Sequence, residues 1–253
     1  MIIQKIVRKS KIKITKAIDS IRIERFIKGS FKNLKCIKGS YNDKRCFIIG
    51  NGPSLKKEDL ERLKGEITFA SHGIYFIFDK TDWRPTYYCA QDCKLINDRI
   101  SEIEEYCKDI PKFFGVVKDF HYPNFSKDDT IIELLNEPFV DGYPKFSNDA
   151  TNGFYEGMTV TYFNIQLAIY MGFKEIYLLG VDHSYTPGRE HFSDKDLITN
   201  TPQLDKTTFS YKKAKQVCEN YNIIIKNATR GGQLEVFDRV NFDSLVGGYN
   251  NEN

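Results

Sequence analysis

Between an apolar run, Arg45-Cys46-Phe47-Ile48-Ile49, and the tripeptide Pro53-Ser54-Leu55 stand two glycines around an asparagine, Gly50-Asn51-Gly52. Glycine admits backbone angles closed to other residues, asparagine brings an amide donor and acceptor, and Pro53 or Ser54 can open a helix. A buried strand that ends this way brings main-chain N–H groups toward whatever lies above it, which suits phosphate. The run is not a Walker A loop, because no Gly-Lys-Ser/Thr ending follows, and Ser54-Leu55 occupy the spacing where a GxGxxG fingerprint needs its third glycine. A tight strand-to-helix turn without a ligand would use the same residues, so the reading needs support from other polar groups on the same rim.

Proton transfer near neutral pH calls for histidine. The chain has four, His72, His121, His183 and His191. His72, His183 and His191 lie at or after expected strand ends, although each also suits a loop hydrogen bond. Asp182 directly follows an apolar run, Glu175 to Leu179 and Gly180-Val181, which places its carboxylate at the floor of a cleft. There it can order loop amides, hold magnesium, or orient a sugar or ribose hydroxyl. Tyr185, Arg189 and Lys195 follow with phosphate-binding groups, and Gln91 and Asp92 end another strand on the same rim. Cys89 and Cys93 are four apart, but no second pair completes a site, so no metal ligand set is expected.

The elements that must position these groups alternate between strand and helix, the pattern of a mostly parallel sheet with helices on both faces. Strands are expected at Cys46–Ile49, Ile67–Ala70, Thr86–Ala90, Lys112–Val116, Glu175–Leu179 and Ile223–Lys226. Helices are expected at Lys56–Leu63, Ile96–Cys107, Thr130–Leu135, Thr159–Met171 and Thr208–Asn220, the fourth ended by Gly172. His121 to Asn152, with Pro123, Pro138 and Pro144, reads as long irregular structure facing substrate. Ser184 to Asp205 reads as a polar loop, and Asn227 to Leu245 as a tail. The expected fold is Rossmann-like α/β, with a basic arm over residues 1–44 and a nucleotide-binding catalytic domain over 45–253.

Charge divides the chain in the same place. Of 37 Lys and Arg, 14 lie within the first 45 residues, against 3 of the 34 Asp and Glu. Ile3, Val7, Ile14, Ile18 and Ile21 fall near helical spacing among these basic residues, the pattern of a helix on an anionic bilayer surface. A solvated basic tail, or a helix packed on a partner subunit, has the same composition. The remainder is acidic and lacks zinc-finger or recognition-helix patterns, so nucleic acid is not an expected partner. No stretch approaches the roughly 20 apolar residues of a membrane span, and the first residues lack the apolar run of a secretory signal. The expected location is cytoplasmic, peripheral on the inner face of the membrane. Six cysteines without framework spacing read as reduced thiols.

Gly50-Asn51-Gly52-Pro53-Ser54-Leu55, taken with the stretch from Gly172 to Asp182 that reads GFKEIYLLGVD, resembles the MptE-like domain family, named for an archaeal 6-hydroxymethylpterin diphosphokinase. The same blocks are similar to the bacterial lipooligosaccharide sialyltransferases and to the central domain of the motility-accessory flagellin glycosyltransferases. The sialyltransferase likeness implies a CMP-activated sugar over the glycine loop and an inverting reaction without an obligatory metal. By position, the family's loop Asn and Gly match Asn51 and Gly52, its second-strand Asn falls at His72, and its third-strand Asn at Gln91. Its nucleotide-contacting Thr-Ser-Gly becomes Thr159-Val160-Thr161, and its phosphate-bracing tyrosines lie near Tyr185 and His191. Its catalytic histidine falls in Leu197 to Tyr211, which here has none, so His191 or His183 has to replace it or the chemistry differs.

The diphosphokinase likeness would instead place ATP and magnesium over the loop, with Asp92 or Asp182 as metal ligand. A nucleotide-binding protein without turnover is the third alternative. The favoured expectation is a sialyltransferase-like glycosyltransferase, acting on a nucleotide-sugar donor and a cell-surface glycan acceptor. No permanently bound cofactor is expected, and a homo-oligomer is compatible with the sequence. Gly50, Asn51, Gly52, Ser54, His72, Gln91, Asp92, Thr159 and Tyr185 are the expected nucleotide-binding residues. His191 is the expected base, with His183 and Asp182 beside it.

Overall fold

The computed structural model describes residues 2–184, 192–193 and 203–247, with side chains from Ile14 onward. Eight strands form one sheet: β1 (Arg45–Ile49), β2 (Thr68–Ser71), β3 (Tyr87–Ala90), β4 (Lys112–Val116), β5 (Thr130–Leu135), β6 (Phe154–Tyr155), β7 (Glu175–Leu179) and β8 (Ile224–Asn227). Their order is β6-β5-β4-β3-β2-β1-β7-β8, and every pair is parallel. This is the expected Rossmann-like α/β class. Along β1, Phe47 and Ile49 face one core while Cys46 and Ile48 face the other. Burial on both faces is why such strands read as unbroken apolar runs.

One face is covered by α2 (Lys57–Glu61), the 3-10 helix His72–Lys80, α3 (Cys93–Tyr106) and α6 (Phe242–Leu245); the other by α4 (Val160–Met171) and α5 (Leu204–Asn220). Ten of the twelve residues of α4 are buried, so this helix is apolar nearly all round. Thr159 caps it by accepting a hydrogen bond from the Thr161 amide, and Gly172 ends it in the left-handed conformation.

Thr130–Leu135 is a strand, which corrects the expected helix. Six residues are too few for a helical period to assert itself, and Thr130, Ile131 and Ile132 are β-branched and pair in register with Phe113, Phe114 and Gly115. The supposedly irregular stretch 121–152 therefore contains β5 as well as the 3-10 turn Ala150–Asn152. Helix α3 starts earlier than expected because the Asp92 carboxylate caps it, accepting from the Leu95 amide at 2.7 Å.

The basic segment folds as α1 (Ile2–Ile37), 36 residues long. Its composition changes at Arg45, but its packing begins earlier, at Asp19. Ile23, Ile27 and Leu34 are buried, and the Ser30 hydroxyl accepts from the Ile131 amide at 2.7 Å. Tyr170 donates its hydroxyl to the Leu34 carbonyl at 3.0 Å. The second half of α1 thus covers β5 and joins both cores. Leu34→Ala is expected to lower unfolding free energy in urea by about 2–5 kcal/mol. A loss below about 1 kcal/mol would mean that the helix is an appendage to the sheet.

Candidate functional site

Strands β2 to β6 extend to one side of β1 and β7 to the other, so β1 and β7 flank the point where strand order reverses. In open α/β sheets ligands bind at such points, beyond the carboxyl ends of the strands. A cavity of about 190 Å³ lies there. Its walls come from the exits of β1, β2 and β7, the start of α4, and Tyr211 of α5.

Two exits are joined backbone to backbone. The Gly50 amide donates to the Leu179 carbonyl and the Gly52 amide to the Gly180 carbonyl, both at 2.8 Å. A Cβ on Gly50 would collide with the Gly180 carbonyl, and one on Gly52 with the Asp182 carboxylate. Gly180, at φ +67°, needs the left-handed region. A third segment closes from behind: Val181 donates its amide to the Thr229 hydroxyl at 3.1 Å, and Gly232 lies against the Asp182 backbone. The glycine pattern of the first loop is therefore a device for close chain approach, and two of its amides are used within the protein. Asn51 likewise spends its amide donor on the Ser71 carbonyl at 3.0 Å, bridging the β1 and β2 exits.

Asp182 is 6% exposed and its Oδ2 accepts the Ser54 hydroxyl at 2.7 Å. Burial raises its pKa above the ordinary carboxylate value, against the hydrogen bonds from Ser54 and the charge of Arg239. Beside it, His183 takes a left-handed backbone, φ +53°, and packs edge-on against Tyr211 with ring centroids 5.4 Å apart. Burial lowers its pKa, so the neutral imidazole is favoured. His183 Nε2 lies 2.8 Å from Thr208 Oγ1, which itself donates to the Leu204 carbonyl at 2.8 Å. Thr208 has only one hydroxyl proton, so it accepts from His183. In that arrangement the imidazole proton sits on Nε2 and the Nδ1 lone pair is available to accept a proton.

Thr159, Val160 and Thr161 bring the N-terminus of α4 into the cavity. A twelve-residue helix presents the positive end of its dipole there, which favours negative charge in the cavity.

Of the residues expected from sequence, Gly50, Asn51, Gly52, His72, Thr159, Asp182 and His183 line the cavity, and Ser54 reaches it through Asp182. Gln91 and Asp92 do not line it. Gln91 donates to the Glu156 carbonyl at 3.2 Å, two strands away from β1, and Asp92 serves as the α3 cap. Tyr185, Arg189, His191 and Lys195 lie outside the described residues. His121 is 3.0 Å from Asp19 on α1, away from the cavity. Sequence reasoning missed Ser71, Met158 and Tyr211. Tyr211 was recoverable, because Thr207, Tyr211, Ala214 and Cys218 make a buried stripe at helical spacing on α5.

A protein-family model described as 6-hydroxymethylpterin diphosphokinase MptE-like matches residues 21–188. Among solved structures, the MAf glycosyltransferase from Magnetospirillum magneticum AMB-1 is similar over 82% of this chain at 17% identity, with a TM-score of 0.50. This likeness is one of fold, and the chain spans 35% of that protein's length. The sialyltransferase CstII from Campylobacter jejuni aligns over 78% of this chain and 86% of its own, at 14% identity and a TM-score of 0.35. No curated protein sequence matches the chain.

Two variants test the geometry. Gly52→Ala is expected to cost about 1–3 kcal/mol, because Asp182 and the Gly180 backbone must both move; an unchanged denaturation midpoint would show that the loop does not sit this close. For Asp182 the folded pKa is the higher one, so its contribution is favourable below the ordinary carboxylate pKa of about 4 and is lost as pH rises through the raised value. The stability of Asp182→Asn relative to the parent should therefore grow across that window and stay level toward neutrality. A pH-independent difference would contradict the burial.

Proposed function

The chain belongs to the MptE-like family, and we propose that within it this protein is a sialyltransferase-like glycosyltransferase. It moves a sugar, CMP-linked and acidic, from the nucleotide donor to a hydroxyl of a cell-surface glycan. The observation that carries the reading is the meeting, in one cavity, of an anion seat at the α4 N-terminus and a neutral, oriented imidazole on His183. That is the pair of groups an inverting transfer needs. The MAf protein's name adds that this fold is compatible with glycosyl transfer.

The donor phosphate lies at the α4 N-terminus, where Thr159 caps the helix and its dipole favours negative charge. The acceptor hydroxyl oxygen attacks the anomeric carbon as the bond from that carbon to the donor phosphate oxygen breaks. CMP departs with the bonding electrons, and His183 Nδ1 takes the hydroxyl proton. Helix-end stabilisation of the departing phosphate is strongest once its charge has developed, which lowers the barrier rather than only tightening binding. His183 takes the role here because it lines the cavity with its ring held by Thr208, and His191 is the competing base.

The family's description favours a second reading, an ATP-dependent diphosphotransferase with magnesium. The carboxylates that would hold the ion fit poorly. Asp92 is committed to capping α3, and Asp182 is buried and accepts from the Ser54 hydroxyl. Among the described residues no three His, Cys, Asp or Glu side chains cluster as a metal site. A nucleotide-binding protein without turnover would keep the cavity and lack donor cleavage.

In a thermal-shift comparison, CMP is expected to stabilise the protein without metal, whereas stabilisation by ATP only with magnesium would favour the diphosphotransferase. His183→Gln should lower sugar transfer or donor hydrolysis roughly 10²-fold with CMP affinity retained. If His191→Ala gives that loss and His183→Gln does not, the base is His191.

A further inference from the structure

Helix α1 consists of two unlike halves. From Asp19 onward it belongs to the body: Asp19 is 7% exposed, lies 3.4 Å from Arg22 and 3.0 Å from the His121 ring, and precedes the buried Ile23, Ile27 and Leu34. Ahead of it, all five residues from Ile14 to Ile18 are exposed. Five consecutive residues exceed one helical turn, so no element among the described residues covers the helix on any side there. Ile14 and Ile18 are each 60% exposed and Ile21 55%. Their spacing of four and then three puts them on one stripe, and in the sequence Val7, seven residues before Ile14, and Ile3, four before Val7, fall on the same side.

Every charged residue around that stripe ahead of Asp19 is basic. Lys5, Arg8, Lys9, Lys11, Lys13 and Lys16 precede the first acidic residue, Asp19. An apolar stripe on a basic helix matches a surface that is apolar beneath and anionic above. It does not match a second copy of itself, since two such segments in either orientation would juxtapose like charges with no acidic partner. Nor does it match a nucleic acid, which offers nothing to bury isoleucine. No helix among the described residues is long and apolar enough to cross a membrane.

The exit point gives the segment a direction. Arg22 donates to the Tyr122 carbonyl, in the stretch that follows the carboxyl end of β4. At the other end of α1, the Gly39 and Tyr41 amides donate to the Tyr170 and Met171 carbonyls at the C-terminus of α4. Since the N-terminus of α4 lies in the cavity, the helix leaves the body at the cavity's own edge of the sheet. We infer that residues 2–18 form an interfacial anchor that binds anionic lipid headgroups and sets the cavity edge toward the membrane surface. The inference stands apart from the reaction proposed above and holds whatever the cavity turns over.

Point variants of the full chain test it, because removing all of α1 would strip Ile23, Ile27 and Leu34 from the core. In co-sedimentation, the parent should bind vesicles of phosphatidylcholine mixed with phosphatidylglycerol, release at high salt, and ignore phosphatidylcholine alone. The combined change Lys9→Gln, Lys11→Gln and Lys13→Gln should weaken that binding on the order of 100-fold. Ile14→Ser with Ile18→Ser should weaken it by at least about tenfold at unchanged melting temperature. Three results would overturn the anchor: no binding to anionic vesicles, equal binding to both vesicle types, or a lipid-free dimer in sedimentation equilibrium that the isoleucine variant dissociates.

Discussion

Two strand exits approach so closely that only hydrogen fits between them, and the rest of the site follows from this contact. Gly50 and Gly52 lie against Gly180 and Asp182, and paired amide-to-carbonyl bonds at 2.8 Å lock the segments together. With β1 and β7 fixed in this way, Asp182 has one place to go, beneath Ser54, and Gly232 blocks its retreat. His183 must then turn outward through a left-handed residue, which aims its ring at Thr208 and Tyr211 on α5. A sheet supplies the frame, but the absence of two Cβ atoms sets where the polar groups converge.

The same contact decides the electrostatics. The Gly50 and Gly52 amides are satisfied inside the protein, and the start of α4, whose residues are nearly all buried, adds positive potential that favours an anion. The nearest carboxyl group, on Asp182, is pushed toward its neutral form by burial, which reduces the repulsion an incoming phosphate would meet. His183 is pushed the other way, toward a neutral base. Burial thus moves the two titratable groups in opposite directions, raising the pKa of Asp182 and lowering that of His183.

The sequence carried much of this and concealed some of it for identifiable reasons. Strand β1, the glycine loop, α4 with its Gly172 stop, and β7 running into Asp182 were legible, because each couples an apolar period to a terminator that has a physical cause. Strand β5 was not, since six residues have no period long enough to arbitrate and its pairing with β4 leaves no local pattern. The glycines were located correctly, but the close approach of the two chains that they permit was not legible. A glycine that opens its amide to a ligand and a glycine that lets two chains touch look the same in one dimension. The extent of α1 misled for a third reason. The basic composition of the segment runs past the helix to Arg45, while the buried apolar residues of α1, Ile23, Ile27 and Leu34, are few and widely spaced among lysines and arginines.

A crystal structure with CMP measures most directly whether the cavity between the β1 and β7 exits is where a nucleotide's phosphate is held. The expected result is phosphate density at the N-terminus of α4, within hydrogen-bonding distance of the Val160 amide, with the His183 ring facing the same space. Density in another depression, such as the groove bordered by Tyr143, Tyr155 and Tyr221, with the β1–β7 cavity left unaltered, would contradict it.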